Sequence, residues 1–125
     1  MQDKNDNHPL DLSYLTEMVG HDTEFMIEVL ETFVTQTPFY MAELEDALLV
    51  KDWLRVADYA HKIKPTFGYV GRADVKDFIQ SIEFNSRTNL NPDVVIQKIA
   101  ELKVLLDEIY HQIITKIEEV KNKDI

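Results

Sequence analysis

Apolar residues recur at helical spacing along almost the whole chain. Leu10, Leu12, Tyr14, Leu15 and Met18 form a short stripe that stops at Gly20. A longer stripe follows, through Phe25/Met26, Val29/Leu30, Phe33, Thr37, Tyr40/Met41, Leu44 and Leu48. Steps of three and four place each set on one face of a helix. Asp22 is a cap residue for the second helix, and Glu24 sits in its first turn, where the helix dipole favours negative charge. Pro38 falls inside this helix and predicts a kink or short break, because proline loses an amide donor and clashes one turn back.

Lys51-Asp52-Trp53 reads as a turn, with Asp52 capping a third helix. Its stripe is Trp53, Val56, Ala60, Ile63, Phe67 and Val70, and Gly71 suits the left-handed position past a helix end. A fourth helix starts at Arg72 or Ala73, with Val75, Phe78/Ile79 and Ile82 inward. Arg87-Thr88-Asn89-Leu90 reads as a loop, and Asn91-Pro92 as a helix start. The last helix carries Val95, Ile99, Leu102, Leu106, Ile109, Ile113, Ile117 and Val120. At about 30 residues it spans roughly 45 Å. No strand pattern, internal repeat or low-complexity segment competes with this reading. The pattern predicts an all-α fold: an antiparallel up-down-up-down four-helix bundle with a short extra N-terminal helix. The expected domain covers residues 10–121, with its third helix at about 52–70. Residues 1–9 read as a flexible tail and 122–125 as a frayed end.

Composition narrows the function. The chain has 125 residues, enough for one domain, and no cysteine, which excludes disulfides and thiolate chemistry. With 23 acids against 13 lysines and arginines the net charge is -10, so neither nucleic acid nor an anionic membrane is an expected partner. The N-terminus has no apolar signal segment and no run is long enough to cross a bilayer, so the expected location is the cytoplasm. There is no Gly-rich phosphate loop or nucleophile elbow.

Four histidines remain. His8 and His21 fall in the tail and at a turn. Glu108 and His111 share the Glu-x-x-His spacing of di-iron bundles, and Asp58 and His61 repeat it as Asp-x-x-His. The flanking apolar stripes argue against turning both motifs inward, so no metal ligand is assigned. His61 differs from the rest. Lys62, Lys64 and Arg72 follow it with no acid up to Arg72, a reversal of charge in an acidic chain. Its helical neighbours are Leu54, Ala57, Asp58, Lys64, Pro65 and Gly68, mostly small, which leaves the ring reachable. Pro65 and Gly68 cost a helix interior roughly 3 and 1 kcal/mol against alanine. Local rules broken around a titratable side chain point to a functional site, and a neutral exposed imidazole beside an ammonium suits phosphoryl acceptance. The residues alone leave open an ordinary surface histidine on a helix bent by Pro65.

Ala60-His61-Lys62-Ile63-Lys64, followed by Gly68 and Gly71, resembles the motif of histidine-containing phosphotransfer (HPt) domains of multistep two-component phosphorelays. That motif is a histidine, a lysine three on, a glycine at the fourth position and a second glycine ten on from the histidine. Leu12–Leu15 resembles the family's short first helix, Asp22–Phe33 its second, and Asp52-Trp53 the entry to the histidine helix. The resemblance implies that His61 takes a phosphoryl group on Nε2 from a receiver domain's phospho-aspartate and passes it to another receiver. Lys64 would stabilise the phosphoryl charge, and Gly71 would shape the turn. Leu54, Ala57, Pro65, Gly68, Leu12 and Leu15 would dock the receiver. The implied partners are receiver domains and a hybrid sensor histidine kinase. The chain would bind no cofactor, Mg²⁺ being held by the receiver, would lack autokinase activity and would act as a monomer.

Two positions depart from the family. Pro65 replaces the glycine usual after the lysine, which predicts a kink or local irregularity beside His61. Glu83 stands where some members carry a glutamine near the imidazole. A carboxylate there orients the ring but repels a phosphoryl group that comes too close. Arg72 and Arg87 are further cations whose ordinary role is on a solvated surface. Two other readings stay open: a helical binding module with a vestigial histidine, and a di-iron carboxylate bundle.

Overall fold

The computed structural model describes residues 9–123. Five helices follow in order: α1 (Ser13–Val19), α2 (Thr23–Leu49), α3 (Trp53–Tyr69), α4 (Ala73–Thr88) and α5 (Pro92–Lys123). Among the described residues there is no strand. The expected caps are in place. The Asp22 carboxylate accepts from the Phe25 amide at 3.0 Å, and the Asp52 carboxylate from the Arg55 amide at 3.2 Å. Each satisfies one of the orphan donors of a first helical turn.

Three-residue connections join α2 to α3, α3 to α4 and α4 to α5, too short for a crossover. Side-chain pairs fix the directions. Between α2 and α3 the pairs are Glu43–Arg55 and Phe33–Tyr69, so α3 advances as α2 retreats. Between α3 and α4 they are Asp58–Arg87, His61–Glu83 and Lys64–Gln80. Between α2 and α5 they are Glu45–Lys103 and Glu31–Lys121. Every one of these interfaces is antiparallel, and the packed neighbours close a ring of α2, α3, α4 and α5. The bundle is the up-down-up-down arrangement that the stripes predict.

The core is built from those stripes: Leu30 and Leu44 of α2, Val56, Ile63 and Phe67 of α3, Ile79 and Ile82 of α4, and Leu102 to Ile113 of α5. Each buried Leu, Ile or Phe contributes about 1.5–3 kcal/mol relative to an exposed one. α1 is pinned by the buried Leu15 and by a stack of rings, Tyr14 on Tyr69 and Tyr69 on Phe33, each 5.9 Å between centroids.

Several boundaries differ from those expected. Both α2 and α3 run unbroken through Pro38 and Pro65, so no interruption marks either proline. Each proline ring is exposed, and buried residues on either side (Thr37 and Met41, Ile63 and Thr66) hold the helix on the core despite the lost donor. Arg87 and Thr88 belong to α4 rather than to a loop, and the turn comes at Asn89 in the left-handed conformation. α5 continues to Lys123, past the expected boundary at residue 121. The expected tail falls outside the described residues but for Pro9.

Gly71 carries the α3–α4 turn at φ +79°. A methyl group added there would lie 2.5 Å from the Asp11 Cβ and 2.6 Å from its carbonyl oxygen. The approach is close because the Asp11 amide donates to the Val70 carbonyl at 2.9 Å, tying the N-terminal strap to this turn. Gly68 is different: a Cβ there meets only the Lys76 stem, at 3.6 Å. Gly71→Ala is therefore expected to lower stability by about 2–3 kcal/mol. Gly68→Ala should be neutral or raise it by up to about 1 kcal/mol. Urea unfolding of the two variants checks the contrast.

Candidate functional site

His61 sits on the third turn of α3, and its side chain is 61% exposed. Its ring does not stand alone. Nδ1 lies 3.1 Å from Glu83 Oε2 on α4. The other oxygen of that carboxylate, Oε1, accepts from Lys64 Nζ at 2.8 Å. Lys64 Nζ also donates to Gln80 Oε1. Arg87 Nε reaches Glu83 Oε2 at 3.4 Å, and its Nη2 donates to Asp58 Oδ1 at 3.1 Å. One carboxylate thus gathers a histidine, a lysine and an arginine, bridging two helices.

The antiparallel register makes this constellation. His61 and Lys64 lie one turn apart on α3. Gln80, Glu83 and Arg87 lie one turn apart on α4, so each rung of one helix meets a rung of the other. Glu83 is buried, with its side chain 10% exposed. Burial works to raise its carboxyl above the ordinary value of 4.5. The hydrogen bond and charge of Lys64, the charge of His61 and the hydrogen bond from Arg87 together outweigh it, and the group is held below that value.

An ionised carboxylate can only accept hydrogen bonds. Facing Glu83, Nδ1 of a neutral His61 ring must carry the proton, which leaves the Nε2 lone pair free. Lys64 has three donors and uses two on Glu83 and Gln80. The arrangement is an oriented, exposed imidazole with an ammonium one turn away.

Beside it, Tyr14, Lys64, Pro65, Gly68, Tyr69 and Lys76 line a groove of about 430 Å³ between α1, α3 and α4. The expected docking residues divide here. Leu54 is 63% exposed, Pro65 is exposed, and Gly68 is half-buried beneath the Lys76 stem. Leu12 is half-buried and packs on the core. Leu15 and Ala57, by contrast, are buried and offer no surface to a partner, which corrects their assignment. Leu15 turns into the core to anchor α1. Ala57 is fully buried although its neighbours Asp58 and His61 reach Arg87 and Glu83 on α4.

Arg72 is buried and paired with Asp74 through two bonds of 3.0 and 2.9 Å, so it is not the solvated cation expected. Arg87 belongs to the site rather than to open surface. Gln80 joins the site as well, through Lys64. The signal was present, since Gln80 stands three before Glu83 and Arg87 four after, the spacing of one helix face. The two candidate metal motifs do not converge. His61 on α3 and His111 on α5 are both exposed, and His111 Nδ1 pairs with the Asp107 carbonyl at 2.8 Å. Among the described residues no three His, Cys, Asp or Glu side chains are grouped to hold a metal ion.

The Glu83 tie has a consequence for stability. A carboxylate with a depressed pKa stabilises the fold above its ordinary value and loses that contribution as pH falls through the folded one. Glu83→Gln is expected to lower stability at pH 7 by about 1 kcal/mol. The gap from wild type should shrink as the pH drops below 4.5. Urea midpoints of both proteins across this range check it.

Among the described residues no helix is long and apolar enough to cross a membrane. No curated protein and no solved structure matches the chain. The family model for the Hpt domain matches residues 28–120, which span α2 to α5 and hold His61, Lys64 and Glu83. The chain therefore belongs to the Hpt domain family, phosphocarriers of two-component signalling that interact with receiver domains.

Proposed function

We propose that this protein carries a phosphoryl group on His61 Nε2 between receiver domains. The observation that carries the reading is the His61–Glu83 contact of 3.1 Å, which directs the free lone pair of an exposed ring outward. Nε2 attacks the phosphorus of a receiver's aspartyl phosphate. The Nε2–P bond forms, the P–O bond to the aspartate breaks, and its electron pair stays on the carboxylate. Transfer to the next receiver runs the same exchange in reverse. The Nδ1 proton remains in its hydrogen bond to Glu83 throughout.

Lys64 supplies positive charge to the group in flight through its third donor. Mg²⁺ sits on the receiver in this reading, and no cofactor is required of this chain. Leu54, Pro65, Gly68 and Leu12, with the groove below Tyr14, form the docking face. A receiver fused to a hybrid sensor kinase is the expected donor. The chain works as a cytoplasmic monomer and does not make its own phosphoryl group from ATP.

Incubation with a phosphorylated receiver and Mg²⁺ tests the proposal. Acid-labile, base-stable phosphate should appear on the wild type and be absent from His61→Gln. Equal labelling of that variant would overturn the assignment. Lys64→Ala should fold, by its helical circular dichroism, yet accept phosphate roughly tenfold or more slowly.

A further inference from the structure

A carrier that must give its phosphoryl group away gains from holding it weakly, and the Glu83 carboxylate bears on that grip. It is a full negative charge on the ring that would carry a second, larger one. It is also buried, so water and salt screen it little.

We propose that Glu83 sets the phosphoryl-transfer potential of this protein: by holding the Nδ1 proton on the ring, it makes phospho-His61 a short-lived donor rather than a store. The inference rests on His61 being the phosphorylated residue. When the Nε2–P bond breaks, its electron pair returns to Nε2. With Nδ1 protonated, the departing group is a neutral imidazole. With Nδ1 bare, it is an imidazolide anion, a far poorer leaving group. An acceptor-only carboxylate 3.1 Å from Nδ1 favours the protonated ring.

Two further effects act in the same direction. Glu83 repels the dianionic phosphoryl group across the ring. It also engages Lys64 and Arg87, at 2.8 and 3.4 Å, the two cations of the cluster, and so draws their charge away from that group. The one other acid in the cluster, Asp58, likewise draws on Arg87. A glutamine at this position still orients the ring, but it brings no charge, frees Lys64 for the phosphoryl group and does not demand a proton on Nδ1. Glu83 is in these terms a positioning residue that acts through the imidazole.

The test compares wild type with Glu83→Gln. Each protein is phosphorylated by a receiver with Mg²⁺, separated from it, and its phosphohistidine followed by ³¹P NMR. The folded variant should keep its phosphate on the order of tenfold longer, and its equilibrium with the receiver should shift toward the carrier by a similar factor. After unfolding in urea both should decay alike, because the carboxylate no longer faces the ring. Equal or shorter lifetimes for the folded variant would overturn the inference while leaving the carrier reading intact. Failure of the wild type to take phosphate on His61 would remove both. Should the variant fold poorly, the phosphorylated wild type decides the matter: ¹⁵N NMR at neutral pH must find Nδ1 protonated, and a bare Nδ1 contradicts the account.

Discussion

The three-residue turn between α3 and α4 is the constraint on which the site depends. Gly71 takes a φ of +79° there and leaves no room for a side chain against Asp11. A turn this short fixes the register of the two helices. Stepping back from Lys64 to His61 to Asp58 along α3 means stepping forward from Gln80 to Glu83 to Arg87 along α4. A register shift by one residue would rotate Glu83 away from the imidazole and toward either solvent or core. The strap at Asp11, which bonds to Val70, reinforces the same turn from outside.

Within that register a single carboxylate does several things. It holds two helices together, orients a ring and restrains a lysine. In the proposed carrier these demands conflict, because the charge that organises the empty site would repel a phosphoryl group on His61. On that proposal the site is arranged to receive and release rather than to retain. The exceptions to helix propensity nearby fit the same picture. Gly68 lies against the Lys76 side chain, and Pro65 lines the groove, exposed, without interrupting α3.

Much of the bundle was legible in the sequence, because period and caps are local. The stripes give all five helices, Asp22 and Asp52 cap where they should, and Gly71 falls at its turn. His61 and Lys64 were visible as a charge reversal on a low face. What depends on the rotation of one helix against another was not legible. Ala57 shares a helical face with His61, yet it is fully buried. Leu15 was assigned outward and turns in. The Lys64–Gln80 contact, the burial of Glu83 and the Asp58–Arg87 bridge emerge only once α3 and α4 are laid side by side. At Pro38 and Pro65 the break that propensity allows does not occur, because core packing on both sides keeps each helix continuous.

The central claim is that Glu83 decides which nitrogen of His61 is free. A long-range ¹H–¹⁵N correlation spectrum of the unphosphorylated protein reads this directly, at a pH where the ring is neutral. The account predicts that the His61 proton resides on Nδ1, with Nε2 showing the shift of an unprotonated nitrogen, and that this preference weakens in Glu83→Gln. A ring protonated on Nε2 in the wild type would contradict it.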